Sequence, residues 1–317
     1  MRSFLRNSST RIRKEFGPPG SGVTGLDSDS PRECLLPSLP RPQASSAIIR
    51  GVPFTLAHAA AAYPLRRTRL VLSALIFGTF APDLEFFLRF APKGPFGHSA
   101  RGLFVFCLPV AFGVFWIFHD LVKEPLAALM PRAIRERIVP GVYPMSLRRP
   151  LQLALVLVSI LIGSLTHILW DSFTHASYWP GHHLPFLRDE FLLPVIGEVH
   201  LYKLLQYAST IFGLLVLYFW LRHWARTAPV QEYPAGSSVS REGARIARIL
   251  IPVMALLGGL LRAYLALGHP ITPRVVEFCV ANFVVASISL AWVELMIWGF
   301  ALPVRYAHDL PPVPSAR

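Results

Sequence analysis

Three ionisable residues in the segment GSLTHILWDSFTHASYW have types and a spacing that suit metal binding. His167, Asp171 and His175 follow one another at intervals of four residues. If the segment is helical, they lie on one face with a rise of about 6 Å from one to the next. Imidazole and carboxylate groups without a thiolate are typical of catalytic Zn²⁺, Mn²⁺ or Fe²⁺ sites that keep an open coordination position. The segment therefore predicts a divalent metal site.

The two histidines of this segment are too far apart to share one ion on a straight helix, where they would be about 12 Å apart along the axis. Two arrangements remain open. Either Asp171 bridges two ions, each held by one histidine, or the helix breaks near Ser172 and folds His175 back. A packing or capping role is the alternative for a single histidine. Three ionisable groups in phase beside the uncharged stretch 151–166 favour metal binding.

A second polar cluster lies upstream in FAPDLEFF and GPFGHSARG, which contain Asp83, Glu85 and His98. Pro82 follows an apolar run, so it ends or kinks a helix and frees backbone groups beside Asp83. As an alternative, Asp83 caps a helix or pairs with Arg89. We expect this cluster on the same side of a membrane as His167 and Asp171, and this convergence favours a shared site.

His58 stands in VPFTLAHAAAAYPLRRTR, on a short Ala-rich helix that Pro64 ends. If every apolar run simply crosses the membrane, His58 lies at the opposite face from the other candidates. If residues 54–63 instead form the first arm of a helical hairpin that turns at 64–68, His58 approaches Asp83. We favour the hairpin and include His58 among the metal ligands.

The composition restricts the elements that can hold these residues. Of 317 residues, 53% are hydrophobic and only 15% are charged, and the mean hydropathy is +0.46. Soluble domains carry about 25% charged residues, so the chain is neither soluble, nor disordered, nor a small secreted protein. Cys34, Cys107 and Cys279 stand far apart without a CxxC motif, which excludes a disulfide scaffold and a thiolate zinc site.

Apolar runs of about 20 residues are long enough to cross a bilayer as helices. The sequence therefore predicts an all-α, polytopic membrane protein with about six transmembrane helices. The expected spans are 70–90, 103–119, 151–170, 204–221, 246–267 and 275–300.

The charge distribution predicts an orientation. The net charge is +13, but in a membrane protein Lys and Arg usually set topology, so we expect the lipid bilayer and not nucleic acid as partner. One set of alternate loops and termini contains sixteen basic residues and the other seven. The richer set faces the cytoplasm by the positive-inside rule, with both termini of the core inside and the His/Asp clusters outside. The loop 120–150 can also serve as an anionic-lipid patch.

Composition also divides the chain. Residues 1–51 are rich in Ser, Pro and Arg and lack the apolar region of a secretory signal. We expect a disordered extension or one that is not translated, with the true start at Val52. Residues 52–225 form the membrane core with the His/Asp clusters, 226–245 a polar linker, and 246–317 a C-terminal pair of spans with a short tail.

The strings VPFTLAHAAAAYPLRRTRLVLSALIFGTFAPDLEFFLR, GHSARGLFVFCLP, GSLTHILWDSFTH and LYKLLQYAST resemble an uncharacterised bacterial membrane family, domain of unknown function 4184. The resemblance is close over about residues 52–225 and loose over the last two spans. Members typically open with Met-Pro-Phe-Thr-Leu-Ala-His, which places the start at Val52. The resemblance implies a bacterial plasma membrane protein and carries no known activity.

The order of the His and Asp residues is also similar to membrane-bound metal-dependent hydrolases and, more distantly, to zinc-dependent phospholipase C. In those proteins, equivalent residues ligate metals that activate water for phosphoester cleavage. The chain departs from both, because the hydrolases usually carry a second acid or a His close to the first Asp, where this chain has Glu85, and the phospholipase is a soluble protein.

These observations lead to one hypothesis and one rival. The chain is a membrane-bound metal-dependent hydrolase that acts on a lipid-linked or other phosphoester, with Zn²⁺ as the first choice of ion and Mn²⁺ or Fe²⁺ as alternatives. Glu85 is the general base or orients a ligand. The rival is a non-enzymatic transporter or structural partner that uses the same groups. The expected ligands are His58, Asp83, His98, His167, Asp171 and His175.

Overall fold

A computed structural model describes residues 55–142, 147, 149–176, 178–194, 197–230 and 241–301 of the protein. The chain divides into Met1–Ser45 and Ser46–Arg317, and the description concerns the second unit. The expected start at Val52, the extension 1–51, the middle of the linker at 231–240 and the tail 302–317 lie outside the described residues. The expectations for these segments stay predictions.

The described residues are mostly helical, which confirms the all-α prediction. The first half contains α1 (Ala62–Leu65), α2 (Leu72–Phe80), α3 (Leu84–Leu88), α4 (Ala100–Gly102), α5 (Leu108–Ile117), α6 (Lys123–Leu129) and α7 (Arg132–Val142). The second half contains α8 (Pro150–Thr174), α9 (Trp179–His183), α10 (Leu201–Thr227), α11 (Arg241–Leu265) and α12 (Pro273–Ala301). Short 3₁₀ helices span Thr55–Ala61, Ala81–Asp83 and Pro185–Arg188, and π-helical turns span Leu103–Cys107 and Phe118–Val122.

Within the described residues, five helical runs are long and apolar enough to cross a membrane, and they correspond to five of the six predicted spans. They are Ala100–Leu129, Pro150–His183, Leu201–Thr227, Glu242–Leu265 and Val275–Ala301. The segment predicted as a span at 70–90 is instead a chain of α2, the 3₁₀ turn Ala81–Asp83 and α3. Pro82 sits in that turn and cannot donate a backbone hydrogen bond, so the α-helix is interrupted there.

The N-terminal hairpin is confirmed. Its first arm is the 3₁₀ helix Thr55–Ala61 continued by α1, and the chain then reverses before α2. The reversal is held by Arg66 Nη1 and Thr68 Oγ1, which donate to the carbonyls of Tyr63 and Leu65 at 2.6 and 2.7 Å. The first arm packs against α2, α8 and α10. It therefore places His58 in the interior.

Helices α2 and α8 pack closely through two glycines. A Cβ atom on Gly78 would lie 2.3 Å from the carbonyl oxygen of Ile160, and one on Gly163 would lie 2.3 Å from that of Leu75. No side chain fits at either position, so the two backbones meet directly. A buried apolar cluster includes residues of both helices: Ala74, Ala81, Leu103, Cys107, Ala111, Phe115, Val156 and Ile160.

The C-terminal helices α11 and α12 pack along each other and contact the first half of the chain. Ser289 Oγ donates to the carbonyl of Phe87 at 2.8 Å, and Arg262 Nε donates to that of Phe90 at 3.2 Å. Phe87 is part of α3, and Phe90 follows α3 just before the His98 loop. The last pair of spans thus packs against the residues that precede the His98 loop.

The sequence analysis did not predict the antiparallel hairpin between α9 and α10. Strand β1 (Glu190–Leu193) pairs with β2 (Gly197–His200), with Glu190 opposite His200. Each strand has only four residues, too few for an alternating pattern to be recognised in the sequence. It forms part of the loop that follows α8.

Candidate metal centre

Five of the six predicted ligands converge in one buried cluster contributed by four chain segments. The 3₁₀ helix Thr55–Ala61 supplies His58, and the turn after α2 supplies Asp83. The loop before α4 supplies His98, while α8 supplies His167 and Asp171. Their side chains are at most 8% exposed. Polar groups this deeply buried require partners, because an unpaired buried charge is costly.

Four atoms form the centre of the cluster. The Nε2 atom of His98 lies 3.3 Å from Asp83 Oδ1 and 3.6 Å from Asp171 Oδ2. The Nε2 atom of His167 lies 3.7 and 3.3 Å from the same two oxygens. Each nitrogen therefore faces both carboxylates, and each carboxylate faces both nitrogens.

These separations suit ligands around an ion better than hydrogen bonds. Charge-assisted N–H···O bonds are about 2.7–2.9 Å long, whereas the four distances are 3.3–3.7 Å. Two ligand atoms that each lie about 2.1 Å from a tetrahedral Zn²⁺ are about 3.4 Å from one another. Asp83, His98 and His167 thus have the spacing of donors around one ion and can hold a metal ion, and Asp171 Oδ2 lies beside both histidines.

A second group shares Asp171. Its other oxygen, Oδ1, lies 3.4 Å from His58 Nε2 and 3.7 Å from His175 Nδ1. His58, His167 and Asp171 also satisfy the geometric requirements of a metal site. The hairpin was expected to bring His58 towards Asp83, and it brings His58 onto Asp171. The geometry therefore allows Asp171 to bridge two ions, one through each of its carboxylate oxygens.

The hydrogen bond of His167 fixes which ring nitrogen is free. The Nδ1 atom lies 2.7 Å from the backbone carbonyl oxygen of Thr79, and because a carbonyl only accepts, Nδ1 carries the hydrogen. In the neutral ring, Nε2 then presents a lone pair. This Nε2 is buried and has no hydrogen-bond partner among the described residues. A lone pair directed at two carboxylates is repulsive unless a proton or a metal ion lies between them.

Two further contacts orient the ligands. Thr55 Oγ1 donates to Asp83 Oδ2 at 2.7 Å, which leaves Oδ1 directed at the histidines. The ring of His58 stacks on that of His167 with centroids 3.9 Å apart. Neither Thr55 nor the Thr79 carbonyl was identified from the sequence, because ordinary hydroxyl and backbone groups give no signal there. Asp83 was weighed as a helix cap or a partner of Arg89, but it makes no capping bond and Arg89 pairs with Glu85.

Glu85 holds the loop that carries His98. Its Oε1 accepts from Arg89 Nε and Nη2 at 3.1 and 2.8 Å, and its Oε2 accepts from the backbone N–H groups of Phe96 and Gly97 at 3.1 and 3.2 Å. The thiol of Cys107 also donates to the Gly97 carbonyl at 3.1 Å. These contacts suit the orienting role that the sequence analysis offered for Glu85. Its role as a general base stays an untested prediction.

His98 lies between two carboxylates at the end of this loop. Burial lowers the pKa of its imidazole, but hydrogen bonds and charge from Asp171 and Asp83 outweigh burial and raise the pKa to about 9. Without a metal ion, His98 is therefore protonated at neutral pH. The site attracts positive charge at this position, whether the charge is carried by a proton or by a metal ion.

His175 lies at the edge of the cluster. Helix α8 ends at Thr174, two residues after the break expected at Ser172, and His175 has an extended backbone. Lys203 donates a hydrogen bond to Gln206 Oε1 at 2.5 Å. The other end of this amide is therefore its nitrogen, Nε2, which lies 3.1 Å from His175 Nε2. The amide must donate, and His175 Nε2 accepts. The ligand role of His175 stays a prediction, and its contacts favour positioning beside Asp171.

The cluster opens into a cleft of about 430 Å³. Asp83, His98, Asp171 and His175 form its polar wall. The remaining lining residues are Phe86, Pro92, Lys93, Gly94, Pro95 and Tyr178. A small molecule can therefore reach the cluster from outside.

Fold and site together define a polytopic helical membrane protein with buried His and Asp groups that can hold a metal ion. A family model described as Domain of unknown function (DUF4184) matches residues 52–300, and the chain belongs to that family. The match includes the last two spans, which the resemblance covered only loosely. No curated protein and no solved structure matches the chain. The similarity to known hydrolases and the bacterial origin therefore remain expectations.

Proposed function

We propose that the protein is a membrane-bound metal-dependent hydrolase that cleaves a phosphoester at the membrane surface. The lone pair of His167 Nε2, buried and directed at the carboxylates of Asp83 and Asp171, carries this proposal. A bound cation removes this electrostatic conflict. The adjoining cleft gives a substrate access to the same atoms.

The donor set determines which ions fit. The central atoms are two imidazole nitrogens and two carboxylate oxygens, a combination that suits Zn²⁺ first and Mn²⁺ or Fe²⁺ as alternatives. The nearby thiol of Cys107 is hydrogen-bonded to Gly97 and is not a ligand. Asp83, His98, His167 and Asp171 would hold a first ion. His58 and the second oxygen of Asp171 would hold another, with His175 beside it.

When bound, a divalent ion makes water a nucleophile near neutral pH and polarises a phosphoryl oxygen. The residues around it have distinct tasks. Thr55 and the Thr79 carbonyl fix the orientation of Asp83 and His167. Glu85 holds the His98 loop. Groups that orient metal ligands in this way typically change metal affinity or activity about 10–100-fold when removed. Hydrolysis forms one P–O bond to water and breaks the ester P–O bond, and the leaving oxygen receives the proton.

The proposed orientation places the cleft outside the cytoplasm. The loops richer in basic residues face inwards by the positive-inside rule, and the His98 loop and the carboxyl end of α8 are at the opposite side. We place the protein in a bacterial plasma membrane with the C-terminal end of the core in the cytoplasm. Five crossings among the described residues, an odd number, favour opposite sides for the two ends instead of the two cytoplasmic ends expected from the sequence, and the contact of Thr55 with Asp83 favours the cleft side for the other end. The substrate would then be met at the outer surface of that membrane.

A hydrolysis assay on the full chain in lipid nanodiscs tests this proposal. The zinc-loaded protein should release phosphate or alcohol from a panel of phosphomonoesters and phosphodiesters, lose this activity with a chelator and regain it with Zn²⁺. His200→Ala is a control, because His200 lies in β2 and contacts the Arg188 carbonyl outside the cluster. A protein that binds zinc stoichiometrically but hydrolyses no member of the panel would contradict the proposal and favour transport or a structural role.

A further inference from the structure

The cleft lies where two membrane-crossing runs end. The loop with His98 comes directly before the span Ala100–Leu129, and Asp171 and His175 are near the carboxyl end of α8. The chain then returns as α10 after a loop of fewer than 30 residues. Ends of spanning helices lie in the head-group region of the bilayer. The mouth of the cleft is therefore expected at the boundary between lipid and water.

One basic side chain in the lining favours an anionic group. Lys93 is the one lysine or arginine among the residues that line the cleft. It is exposed, with its Nζ 5.9 Å from the ring centroid of Phe278. Tyr178 also lines the cleft. An ammonium and a phenol are donors suited to phosphoryl oxygens.

Apolar residues also line the cleft. Phe86, Pro92 and Pro95 line the cleft. Phe96 follows Pro95 in the chain and is 39% exposed, and Trp179 follows Tyr178 and is 66% exposed. Large exposed aromatic side chains are unfavourable in water but suited to the head-group region, where indole is enriched. We take Phe96 and Trp179, each next in the chain to a residue that lines the cleft, as the apolar rim of the cleft.

We propose that the ligand of this cleft is an anionic amphiphile of the membrane, with a phosphate-type head group and an alkyl chain. The head group lies between Lys93 and the His/Asp cluster. The chain lies along Phe96 and Trp179 and continues into the bilayer. This inference rests on the proposed function, which states what happens to the head group. It also predicts a preference in binding affinity that is measured separately from hydrolysis. A water-soluble phosphoester lacks the chain and loses the contact with the rim.

Binding of two phosphonates that cannot be hydrolysed tests the inference. The zinc-loaded full chain in nanodiscs is titrated calorimetrically with methylphosphonate and with octylphosphonate below its micelle concentration, and empty nanodiscs are subtracted. Octylphosphonate should bind about tenfold more tightly or better, the effect of burying about two methylene groups. Equal affinities would overturn the inference.

Two variants assign the apolar contribution. Trp179→Ala should reduce the advantage of octylphosphonate several-fold and leave the affinity for methylphosphonate unchanged. Trp116→Ala is the matched control, because Trp116 is a 54% exposed indole on α5 and, unlike Trp179, is not next in the chain to a residue that lines the cleft. If both tryptophan variants lower the affinity advantage of octylphosphonate equally, that advantage comes from partitioning of the alkyl chain into the bilayer. The rim residue Trp179 is then not involved.

Two more variants assign the charge. Lys93→Gln should weaken both phosphonates several-fold, and Lys93→Arg should keep most of the affinity. Arg101→Gln removes an exposed charge at the start of the following span, outside the cleft lining, and should change nothing. Identical losses for Lys93→Gln and Arg101→Gln would mean a diffuse surface charge and contradict the assignment of Lys93.

The outcomes separate this inference from the proposed function. Chain-dependent phosphonate binding without hydrolysis of any phosphoester supports the amphiphile site and contradicts the hydrolase. Rapid hydrolysis of a soluble phosphoester without any preference for an alkyl chain supports the hydrolase and overturns the amphiphile site.

Discussion

The backbone carbonyl oxygen of Thr79 accepts a hydrogen bond from His167 Nδ1 at 2.7 Å, across the interface between α2 and α8. This bond turns the lone pair of His167 Nε2 towards Asp83 and Asp171. The orientation of a candidate metal ligand thus depends on how closely two helices pack. The glycine contacts between Gly78 and Gly163 set that approach.

Gly163→Ala should therefore disturb both packing and the metal centre. The new Cβ would lie 2.3 Å from the Leu75 carbonyl oxygen, so the helices must separate, which typically costs about 1–3 kcal/mol. We expect a lower thermal unfolding temperature by circular dichroism in detergent and a weaker affinity for zinc.

Gly113→Ala is the control for this variant. A Cβ at Gly113 would meet no atom within 4 Å, and alanine is better than glycine inside a helix by up to about 1 kcal/mol. The unfolding temperature should stay the same or rise. Equal behaviour of the two variants would show that the close approach of α2 and α8 is not needed.

Glu85→Gln distinguishes positioning from general base catalysis. The amide keeps one oxygen acceptor for the loop, so a positioning residue should lose about tenfold or less in activity and retain its metal. Removing a general base typically costs about 10²–10⁴-fold. Glu85→Leu should reduce zinc affinity as well, because the N–H groups of Phe96 and Gly97 lose their acceptor. Full metal content with a loss beyond about a hundredfold in Glu85→Gln would contradict positioning.

Gln206→Ala tests the contact that orients His175. Without the amide donor, the ring loses its fixed tautomer beside Asp171, and we expect about a tenfold loss in activity with metal still bound. Thr210→Ala is matched to it, since Thr210 Oγ1 donates only to the Gln206 carbonyl of its own helix among the described contacts. A Gln206→Ala protein as active as Thr210→Ala would contradict the role.

The affinity for zinc should rise with pH. Burial lowers the pKa of His98, but Asp171 and Asp83 raise it to about 9. Below that pH the proton occupies His98 Nε2, and it must leave before the nitrogen can bind a metal. Affinity therefore falls as the pH decreases, by about tenfold per pH unit for one displaced proton. Competition with a chelator of known pH dependence measures the slope, and a flat profile would be inconsistent with His98 as a ligand.

The sequence was sufficient to predict the helical membrane fold and the set of residues that converge. The four-residue spacing of His167 and Asp171 required one helical face, and Asp83 stood out because Pro82 interrupts an apolar run. Because burying ionisable groups in a membrane protein is costly, such residues beside apolar spans indicate a functional site. The short α2 and the extra length of the span Ala100–Leu129 were not predicted.

The supporting contacts could not be predicted, because they depend on three-dimensional packing. Thr55, Gln206 and the Thr79 carbonyl are unremarkable in the sequence, and each reaches its partner across at least 28 positions of the chain. The choice between the hairpin and a simple first span also remained open in the sequence. It depends on the packing of Ala57 against Gly213, where a Cβ would lie 2.8 Å from the Ala57 carbonyl oxygen.

The metal content of the purified full chain tests the account most directly. The wild-type protein is loaded with zinc, freed of excess ion and analysed by inductively coupled plasma mass spectrometry. It should retain at least one zinc ion per chain. His167→Ala and Asp171→Asn should lose it, while His200→Ala keeps it. Wild-type metal content in His167→Ala and Asp171→Asn, or none in the wild type after loading, would contradict the His/Asp metal centre.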